Sequence, residues 1–326
     1  MSKVKDQLVK DNYAIYNGDC MDVLPTLEKE SVDLVIYSPP FAGLYNYSSS
    51  EKDFSNCESK EQFLIQYEFL VSEMSRVTKP GRINAVHCQD ILTHTTKHNL
   101  WDFPHEIIEL HKKYGFTYNN RITIWKEPLE VRMRTMVQSL MHKNIVEDST
   151  MCIAAVPDYV LIFRKGGENK VKVTHEKGFT HYFGNTPMLP AMEEKYGKFA
   201  HLKVKYENWE DPKTNKLSHI IWQRYTSSVW DDIDGKNVLP FRDAKEDDDE
   251  KHVHPLQLDV IDRLVEMYSN PNEVVLTPFM GVGSEVFSPV SLGRKAIGIE
   301  LKDSYFKQAI ANLKEATHRF DNEKKQ

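Results

Sequence analysis

Two apolar runs that each end in a tight turn constrain this chain more than any other feature of its sequence. The first, Val32 to Tyr37, leads into Ser38-Pro39-Pro40-Phe41. The second, Val274 to Leu276, leads through Thr277 into Pro278-Phe279-Met280-Gly281-Val282-Gly283. Short, nearly continuous β-branched runs predict strands that are buried on both faces. The sequence therefore predicts two buried strands, one near each end of the chain, that both open into turns.

The two turns offer different groups to a ligand. Two prolines fix the backbone after Ser38, so the Ser38 hydroxyl and the Pro39 carbonyl form a rigid pair of hydrogen-bond acceptors. Gly281 and Gly283 allow the backbone to approach a ligand closely, and the N-terminus of the helix predicted to follow favours an anion. Taken alone, a Pro-Pro turn after a strand is also typical of an ordinary strand end.

Strands and helices alternate along most of the chain. Apolar periodicity predicts strands at 13–16, 32–37, 83–87, 121–125, 158–163, 273–276 and 295–299, and helices at 63–77, 103–114, 256–268, 284–292 and 303–316. Pro80-Gly81 is expected to end the helix at 63–77. Successive βα units indicate a mostly parallel sheet that is covered by helices. Residues 166–245 have weak periodicity and are expected to form an irregular insert.

Composition excludes few functions. The chain of 326 residues is 40% hydrophobic, which suffices for a sizeable core in one large or two smaller domains. It shows neither a signal peptide nor an apolar run near the roughly 18 residues of a spanning helix, so a cytoplasmic protein without membrane contact is expected. The four cysteines form no CxxC pair, and no metal site is predicted.

Charge is distributed unevenly along the chain, whose net charge is −6. Residues 111–145 carry seven Lys or Arg against two acids, and residues 164–224 carry twelve against seven. Residues 243–250 carry six acids and one Lys, and are expected to form a solvated linker. The basic middle of the chain fits a surface that neutralises nucleic-acid phosphates, although an ordinary solvated surface has the same pattern.

The two turn motifs together resemble the signature motifs of the DNA methyltransferases that act on exocyclic amino groups. Ser38 to Phe41 match the family pattern [Asp/Asn/Ser]-Pro-Pro-[Tyr/Phe] at all four positions. The second motif resembles Asp-Pro-Phe-x-Gly-x-Gly-Thr, with Thr277 in place of Asp and Ser284 in place of Thr. The catalytic motif precedes the glycine motif, as in the permuted β-type members. The resemblance implies an α/β, Rossmann-like fold that uses S-adenosylmethionine (AdoMet), with an inserted target-recognition region.

The resemblance also implies the roles of individual residues. The catalytic residues would be Ser38, Pro39, Pro40 and Phe41, and the cofactor would be bound by Asp19, His254, Thr277, Pro278, Phe279, Gly281, Gly283, Ser284 and Glu300. Glu300 ends a predicted strand, where an acid suits the ribose hydroxyls. Asp19 would lie near the cofactor adenine, although Gly18-Asp19 is equally typical of an Asx turn. His254 would open the helix that lines the methionine end of the cofactor.

Candidates for DNA contact are Tyr45, Trp125, Arg132, Arg134 and Arg224. Trp125 would flank the flipped base, or would be a core residue instead. Arg224 would read a guanine edge or hold a phosphate. The expected domain organisation is a catalytic half at 1–165, a target-recognition region at 166–245 and an AdoMet-binding half at 246–326.

The expected reaction is methyl transfer to the amino group of a base flipped out of duplex DNA. Acceptors at Ser38 and Pro39 would draw the amino lone pair out of the ring, and Phe41 would stack on the base. Ser38 in the first motif position favours cytosine N4 slightly over adenine N6. A Pro-Cys pair, which would indicate transfer to cytosine C5, does not occur in the sequence.

Two other classes of function stay open at this point. One is a methyltransferase for an RNA base or a protein amide, and the other is an inactive AdoMet- or DNA-binding module. A homodimer, a cognate restriction enzyme and a bacterial, archaeal or phage origin are all compatible with the family.

Overall fold

The computed structural model describes residues 4–40, 57, 59–94, 99–135, 140–184, 216–244 and 255–316. The strands are β1 (Asp6–Val9), β2 (Tyr13–Asn17), β3 (Val32–Tyr37), β4 (Thr78–Cys88), β5 (Ile91–His94), β6 (Asn99–Trp101), β7 (Phe116–Ile124), β8 (Asp158–Lys165), β9 (Val229–Trp230), β10 (Val274–Thr277) and β11 (Lys295–Glu300). The α-helices are α1 (Cys20–Val23), α2 (Lys60–Val77), α3 (Phe103–Lys113), α4 (Pro128–Thr135), α5 (His142–Glu147), α6 (Lys216–Tyr225), α7 (Leu258–Tyr268), α8 (Ser284–Ser291) and α9 (Asp303–Leu313).

The described strands form one main sheet in the order β1-β2-β11-β10-β3-β4-β8-β7-β9, beside a small β5-β6 hairpin. The pairs from β2 to β4 are parallel, whereas β8 is antiparallel to both β4 and β7. The expectation of a mostly parallel sheet in an α/β fold is confirmed. Because β7 and β4 are both antiparallel to β8, the two strands run in the same direction and end at the same edge of the sheet.

The strand order reverses between β10 and β3. From β10 the chain proceeds outward to β11, whereas from β3 it proceeds to β4 on the other side. Val275 and Leu276 pair with Leu34 and Val35 at this boundary. In open α/β sheets, ligands bind in the crevice at such a switch point, outside the carboxyl ends of the strands. Both turn motifs therefore follow strands at the position where this class of fold binds ligands.

Helices cover both faces of the sheet. All six residues of β3 are buried, as its apolar run predicts. Val35 and Tyr37 pack with α2 and α3 on one face, whereas Leu34 and Ile36 pack with α7 on the other. A third cluster joins β2 and β11 to α8 and α9. None of the helices within the described ranges is both long enough and apolar enough to cross a membrane.

The predicted helix at 63–77 ends at the expected residue, but the expectations that Pro80-Gly81 ends it and that the next strand begins at residue 83 are wrong. The helix ends at Val77, and β4 begins at Thr78 and includes the Pro-Gly pair. The pairing of β3 with β4 is irregular here, passing from Val32 opposite Thr78 to Leu34 opposite Ile83. Such an irregularity accommodates a proline, which cannot donate to the ladder, and a glycine at φ +75°.

Within the region 166–245, residues 216–244 are more regular than the weak periodicity indicates. They contain α6, and β9 pairs with β7 at the edge of the main sheet. Arg263 on α7 pairs with Asp232, and its guanidinium lies 5.0 Å from the ring centres of both Tyr225 and Trp230. These buried groups attach residues 225–232 to α7, and their pairing is not visible in the sequence.

Candidate active site

The turns after β3 and β10 lie side by side at the switch point. Ser38, Pro39 and Pro40 follow β3, and the glycine turn from Pro278 to Gly283 follows β10. Because β3 and β10 are hydrogen-bonded neighbours, residues from opposite ends of the sequence meet at one edge. Phe41, the fourth residue of the first motif, lies outside the described residues, as do Tyr45 and His254.

The two glycines of the second turn serve different purposes. Gly281 has φ +54°, and a Cβ atom built on it would meet nothing within 4 Å among the described residues. Gly283 has φ +101°, and its Cβ would lie 3.2 Å from Ala309 Cβ on α9. Both conformations favour glycine. Gly281 faces open space that a ligand can occupy, whereas Gly283 allows the turn to pack against α9.

Glu300 connects the end of β11 to the glycine turn. Its carboxylate accepts hydrogen bonds from the backbone N–H groups of Gly281 and Lys302, both at 2.8 Å. Gly281 N–H thus has a partner on the next strand, and the carboxylate lies directly beside the turn. An acid in this place fits the cis-hydroxyls of a ribose, which is the role that the sequence predicts for it.

Asp19 caps a helix and also lies next to Glu300. Its side chain accepts a hydrogen bond from Met21 N at 2.9 Å, which makes it the N-cap of α1. Gly18 N donates to the Glu300 carbonyl oxygen at 2.9 Å, because β2 and β11 are neighbours. The Asx-turn alternative for Asp19 is therefore observed. A contact of Asp19 with the cofactor adenine stays a prediction.

Two hydroxyls beside the glycine turn are buried. Thr277 Oγ1 and Ser284 Oγ have no hydrogen-bond partner among the described residues. Glu285, the next residue, is buried too, and burial together with the nearby Glu300 carboxylate raises its pKa to about 8. The hydroxyls, the open space at Gly281 and the Glu300 carboxylate fit the polar groups of AdoMet. When bound there, AdoMet would supply an electrophilic methyl group.

Ser38 belongs to a chain of polar groups that sequence reasoning missed. Its Oγ lies 2.9 Å from Nδ1 of His87 on β4. His87 Nε2 lies 3.2 Å from Oδ2 of Asp158 at the start of β8, without the alignment of a full hydrogen bond. Lys126 donates to the other Asp158 oxygen. The predicted strand at 83–87 ends on His87, which was a signal, but only the fold shows its partners.

Electrostatics keep Asp158 ionised. Burial alone would raise the pKa of this carboxyl group, but the neighbouring Lys126 and His87 side chains, Lys126 above all, outweigh burial and hold its pKa at about 2. Only the imidazole of His87 therefore separates the buried negative charge of Asp158 from the Ser38 hydroxyl. This arrangement can orient a hydroxyl and can take up a proton.

Trp125 lies at the same edge of the sheet and is not a core residue. It follows β7 directly, its N–H donates to the Trp230 carbonyl oxygen, and its side chain is 53% exposed. Its neighbour Lys126 contacts Asp158, which places Trp125 near the polar group formed by Ser38, His87 and Asp158. An exposed indole at this place is able to stack on a base. The core alternative for Trp125 is wrong.

The three arginines predicted to contact DNA differ in their surroundings. Arg132 is half-buried on α4, and the backbone of Arg134 lies on the same helix although its side chain is outside the described part. Arg224 pairs with Asp231 at 2.5 Å and Asp232 at 3.2 Å. A base or phosphate contact by Arg224 would compete with these carboxylates, and all three contacts stay predictions.

Comparison with known proteins identifies the family. The model of the N6/N4 DNA methylase family, described as DNA methylase, matches residues 32–311. The type II methyltransferase M.BglII of Bacillus subtilis is 25% identical over 293 residues, which cover 89% of this chain and 66% of M.BglII. The match therefore spans the larger part of both proteins.

Two solved structures share the fold. The PvuII DNA methyltransferase, described as cytosine-N4-specific, superposes with a TM-score of 0.61 at 14% identity and covers 98% of this chain and 95% of its own. TTHA0409 of Thermus thermophilus, in complex with AdoMet, superposes with a TM-score of 0.60 at 21% identity and covers 95% and 97%.

The family motifs lie together at the switch point, as the resemblance requires, and the family model spans most of the chain. The expectation of a Rossmann-like methyltransferase fold is confirmed by the two solved structures. The expectation of AdoMet as the methyl donor is confirmed by the family match. The chain belongs to the N6-adenine/N4-cytosine DNA methylase family and is an AdoMet-dependent DNA methyltransferase.

Proposed function

We propose that the protein methylates N4 of a cytosine that has been flipped out of duplex DNA, with adenine N6 as the alternative target. The observation that carries this proposal is the position of Ser38 and Pro39 beside the glycine turn. Oxygen acceptors at that place lie next to the site that fits AdoMet. A serine in the first motif position favours cytosine slightly.

The proposed catalytic role belongs to the Ser38 hydroxyl and the Pro39 carbonyl. The lone pair of an exocyclic amino group is delocalised into the ring, which makes the nitrogen a poor nucleophile. Two acceptors for the N–H groups localise that lone pair and aim it at the methyl carbon. Because Pro39 and Pro40 restrict the backbone, the acceptors are oriented before the base arrives.

The proposed cofactor role belongs to the groups around the second turn. Thr277, Pro278, Phe279, Gly281, Gly283 and Ser284 would surround the methionine part of AdoMet, and Glu300 would accept hydrogen bonds from the ribose. Asp19 would lie toward the adenine. The family motifs also predict a cofactor contact for His254 and stacking on the base for Phe41.

The proposed DNA surface lies at the carboxyl edge of β4 and β7. Trp125 is exposed there, and α4 with Arg132 and Arg134 follows directly. Tyr45 and Arg224 are further candidates, and residues 166–245 would select the DNA sequence. We place the catalytic half at 1–165 and the AdoMet-binding half at 246–326. A homodimer, a restriction partner and a cytoplasmic location in a prokaryotic or phage setting are compatible with this function.

The target base is tested directly by nucleoside analysis. Purified protein is incubated with AdoMet and genomic DNA from a host that lacks methyltransferases, and the DNA is digested to nucleosides for mass spectrometry. We expect N4-methylcytosine. N6-methyladenine instead would move the target to adenine, and neither product from a protein that binds AdoMet would overturn the DNA proposal in favour of an RNA or protein substrate.

A further inference from the structure

We propose that His87, held by Asp158, is a positioning residue that turns the Ser38 hydroxyl toward the target base as an acceptor and takes up its proton after methyl transfer. The proposal rests on the proposed function of Ser38. It adds two residues, on β4 and β8, that the sequence motifs do not include.

The carboxylate of Asp158 sets the tautomer of His87. Asp158 Oδ2 lies 3.2 Å from His87 Nε2, and Asp158 is buried and ionised. A nitrogen lone pair that faced this carboxylate would be repelled by it, whereas an N–H would be attracted. The neutral imidazole therefore carries its proton on Nε2, and Nδ1 is an acceptor.

The tautomer of His87 in turn sets the direction in which the Ser38 hydroxyl donates. A hydroxyl has one proton and two lone pairs. With Nδ1 as an acceptor at 2.9 Å, the Ser38 O–H donates to His87, and the lone pairs of Oγ are left for the base. Without this partner, the hydroxyl could instead turn its proton toward the amino group and lose its acceptor role. Asp158 thus sets the orientation of a group that it does not touch.

Methyl transfer leaves an extra proton on the amino nitrogen of the base, which must be removed. As the amino nitrogen forms its bond to the methyl carbon, the carbon–sulfur bond breaks and its electron pair stays on sulfur. The methylated nitrogen then carries one proton too many and a positive charge. That proton moves to Ser38 Oγ while the Ser38 hydroxyl proton moves to His87 Nδ1. The product is a neutral methylamino base, an intact serine and an imidazolium paired with Asp158.

Imidazole is a suitable acceptor for this proton. Its ring nitrogen is a far stronger base than a serine hydroxyl, which cannot retain an extra proton in water. His87 is 9% exposed, so the imidazolium can return its proton to solvent after the product leaves. Lys126 contacts the other Asp158 oxygen and keeps this carboxylate in place through the cycle.

The charges around His87 come from several elements. Asp158 on β8 and Lys126 after β7 lie next to it. Charged groups that act on the neighbouring Cys88 are Asp90, Asp102 and Arg121. Protonation of free His87 would make Nδ1 a donor to Ser38, which would direct the Ser38 proton toward the base. We therefore expect methyl transfer to require a neutral His87 and to slow at acid pH.

The test is the single-turnover rate of methyl transfer to duplex DNA between pH 5 and 9, with saturating AdoMet. Three variants are compared with the wild type. His87→Ala removes both functions of the imidazole, and His87→Asn keeps an acceptor near the Nδ1 position but does not titrate. His105→Ala replaces an exposed histidine on α3 and is the control.

We expect His87→Ala to be roughly 10- to 100-fold slower at pH 8 with unchanged affinity for AdoMet and DNA. His87→Asn is expected to be faster than His87→Ala and to lack the fall in rate at acid pH. His105→Ala should match the wild type. If His87→Ala does not fold, the pH profile of His87→Asn alone decides.

Two results overturn the proposal in distinguishable ways. An acid fall in rate that persists unchanged in His87→Asn, or equal rates for His87→Ala and wild type, would remove His87 from the reaction and leave the proposed function intact. Failure of the wild-type protein to methylate either base would overturn the proposed function and this proposal together.

Discussion

The ring of Tyr37 lies 6.0 Å from the ring of Phe279, centre to centre, with the two planes tilted by 53°. Tyr37 is the last residue of β3, and Phe279 belongs to the turn after β10. This contact joins the segment that carries Ser38 to the segment that carries the glycines. The proposed acceptors for the base and the proposed AdoMet site are therefore held by one packed unit.

Glu300 predicts a loss of AdoMet affinity on substitution. Its carboxylate accepts from Gly281 N and Lys302 N and is the acid proposed to hold the ribose. We expect Glu300→Ala to weaken AdoMet binding by roughly 10- to 100-fold, in line with the loss of charge-assisted hydrogen bonds. Isothermal titration measures the affinity. Glu300→Gln, which keeps one acceptor oxygen, should lose less, and unchanged affinity in both variants would remove Glu300 from the site.

The two glycines of the turn predict opposite phenotypes. Gly283→Ala places a methyl group 3.2 Å from Ala309 Cβ at φ +101°, so we expect a clear fall in melting temperature. Gly281→Ala enters open space at φ +54°, so its effect on stability should be smaller, about 1 kcal/mol, whereas AdoMet affinity should fall. Thermal unfolding with and without AdoMet separates the two effects. Equal melting temperatures and equal affinities in the two variants would contradict this assignment.

Glu285 predicts a pH dependence of stability. Burial and the Glu300 charge raise its pKa from 4.5 to about 8, so the folded state keeps a proton that the unfolded chain loses between these values. The free energy of unfolding must therefore fall as pH rises from about 4.5 to about 8.

Glu285→Gln removes this titration. We expect the variant to lose less stability than the wild type between pH 5 and pH 8, by on the order of 1–3 kcal/mol. Urea unfolding at the two pH values measures the difference. Parallel pH profiles for the two proteins would show that Glu285 ionises normally in the folded state.

Trp125 predicts a DNA phenotype without a stability phenotype. Its indole is exposed at the edge of the sheet where Ser38 lies, so Trp125→Ala should leave the melting temperature unchanged. Loss of one stacking partner for a base is worth about 1–3 kcal/mol, so DNA affinity or the methyl-transfer rate should fall accordingly. Phe69→Ala on α2, another exposed aromatic, is the matched control and should have no effect. Identical behaviour of both variants would remove Trp125 from the DNA surface.

The parts of the site that sequence predicted are those set by local pattern. The apolar run before Ser38 and the glycines after β10 each define a strand and a turn without any knowledge of their partners. The resemblance supplied their common site, and the strand order then places them together. The position of Glu300 at the end of the strand after the glycine turn was predictable for the same reason, and its contact with the ribose stays a prediction.

Other features depend on contacts between distant segments and could not be read locally. The partners of His87 come from β3 and β8, and β8 is antiparallel to β4 in an otherwise parallel part of the sheet. The exposure of Trp125 depends on where β7 ends relative to β9. The start of β4 was hidden because Pro80 and Gly81, which normally end regular structure, occupy an irregular place in its pairing.

Ser38 is proposed to act on the base and not on the cofactor. The most direct test measures AdoMet affinity and single-turnover methyl transfer to duplex DNA in Ser38→Ala and wild type. We expect equal AdoMet affinity in the two proteins and a rate in Ser38→Ala that is lower by roughly 100- to 1000-fold, the range found when one preorganised polar group is removed from an active site. An AdoMet affinity that falls as much as the rate, or a rate equal to that of the wild type, would contradict this proposal.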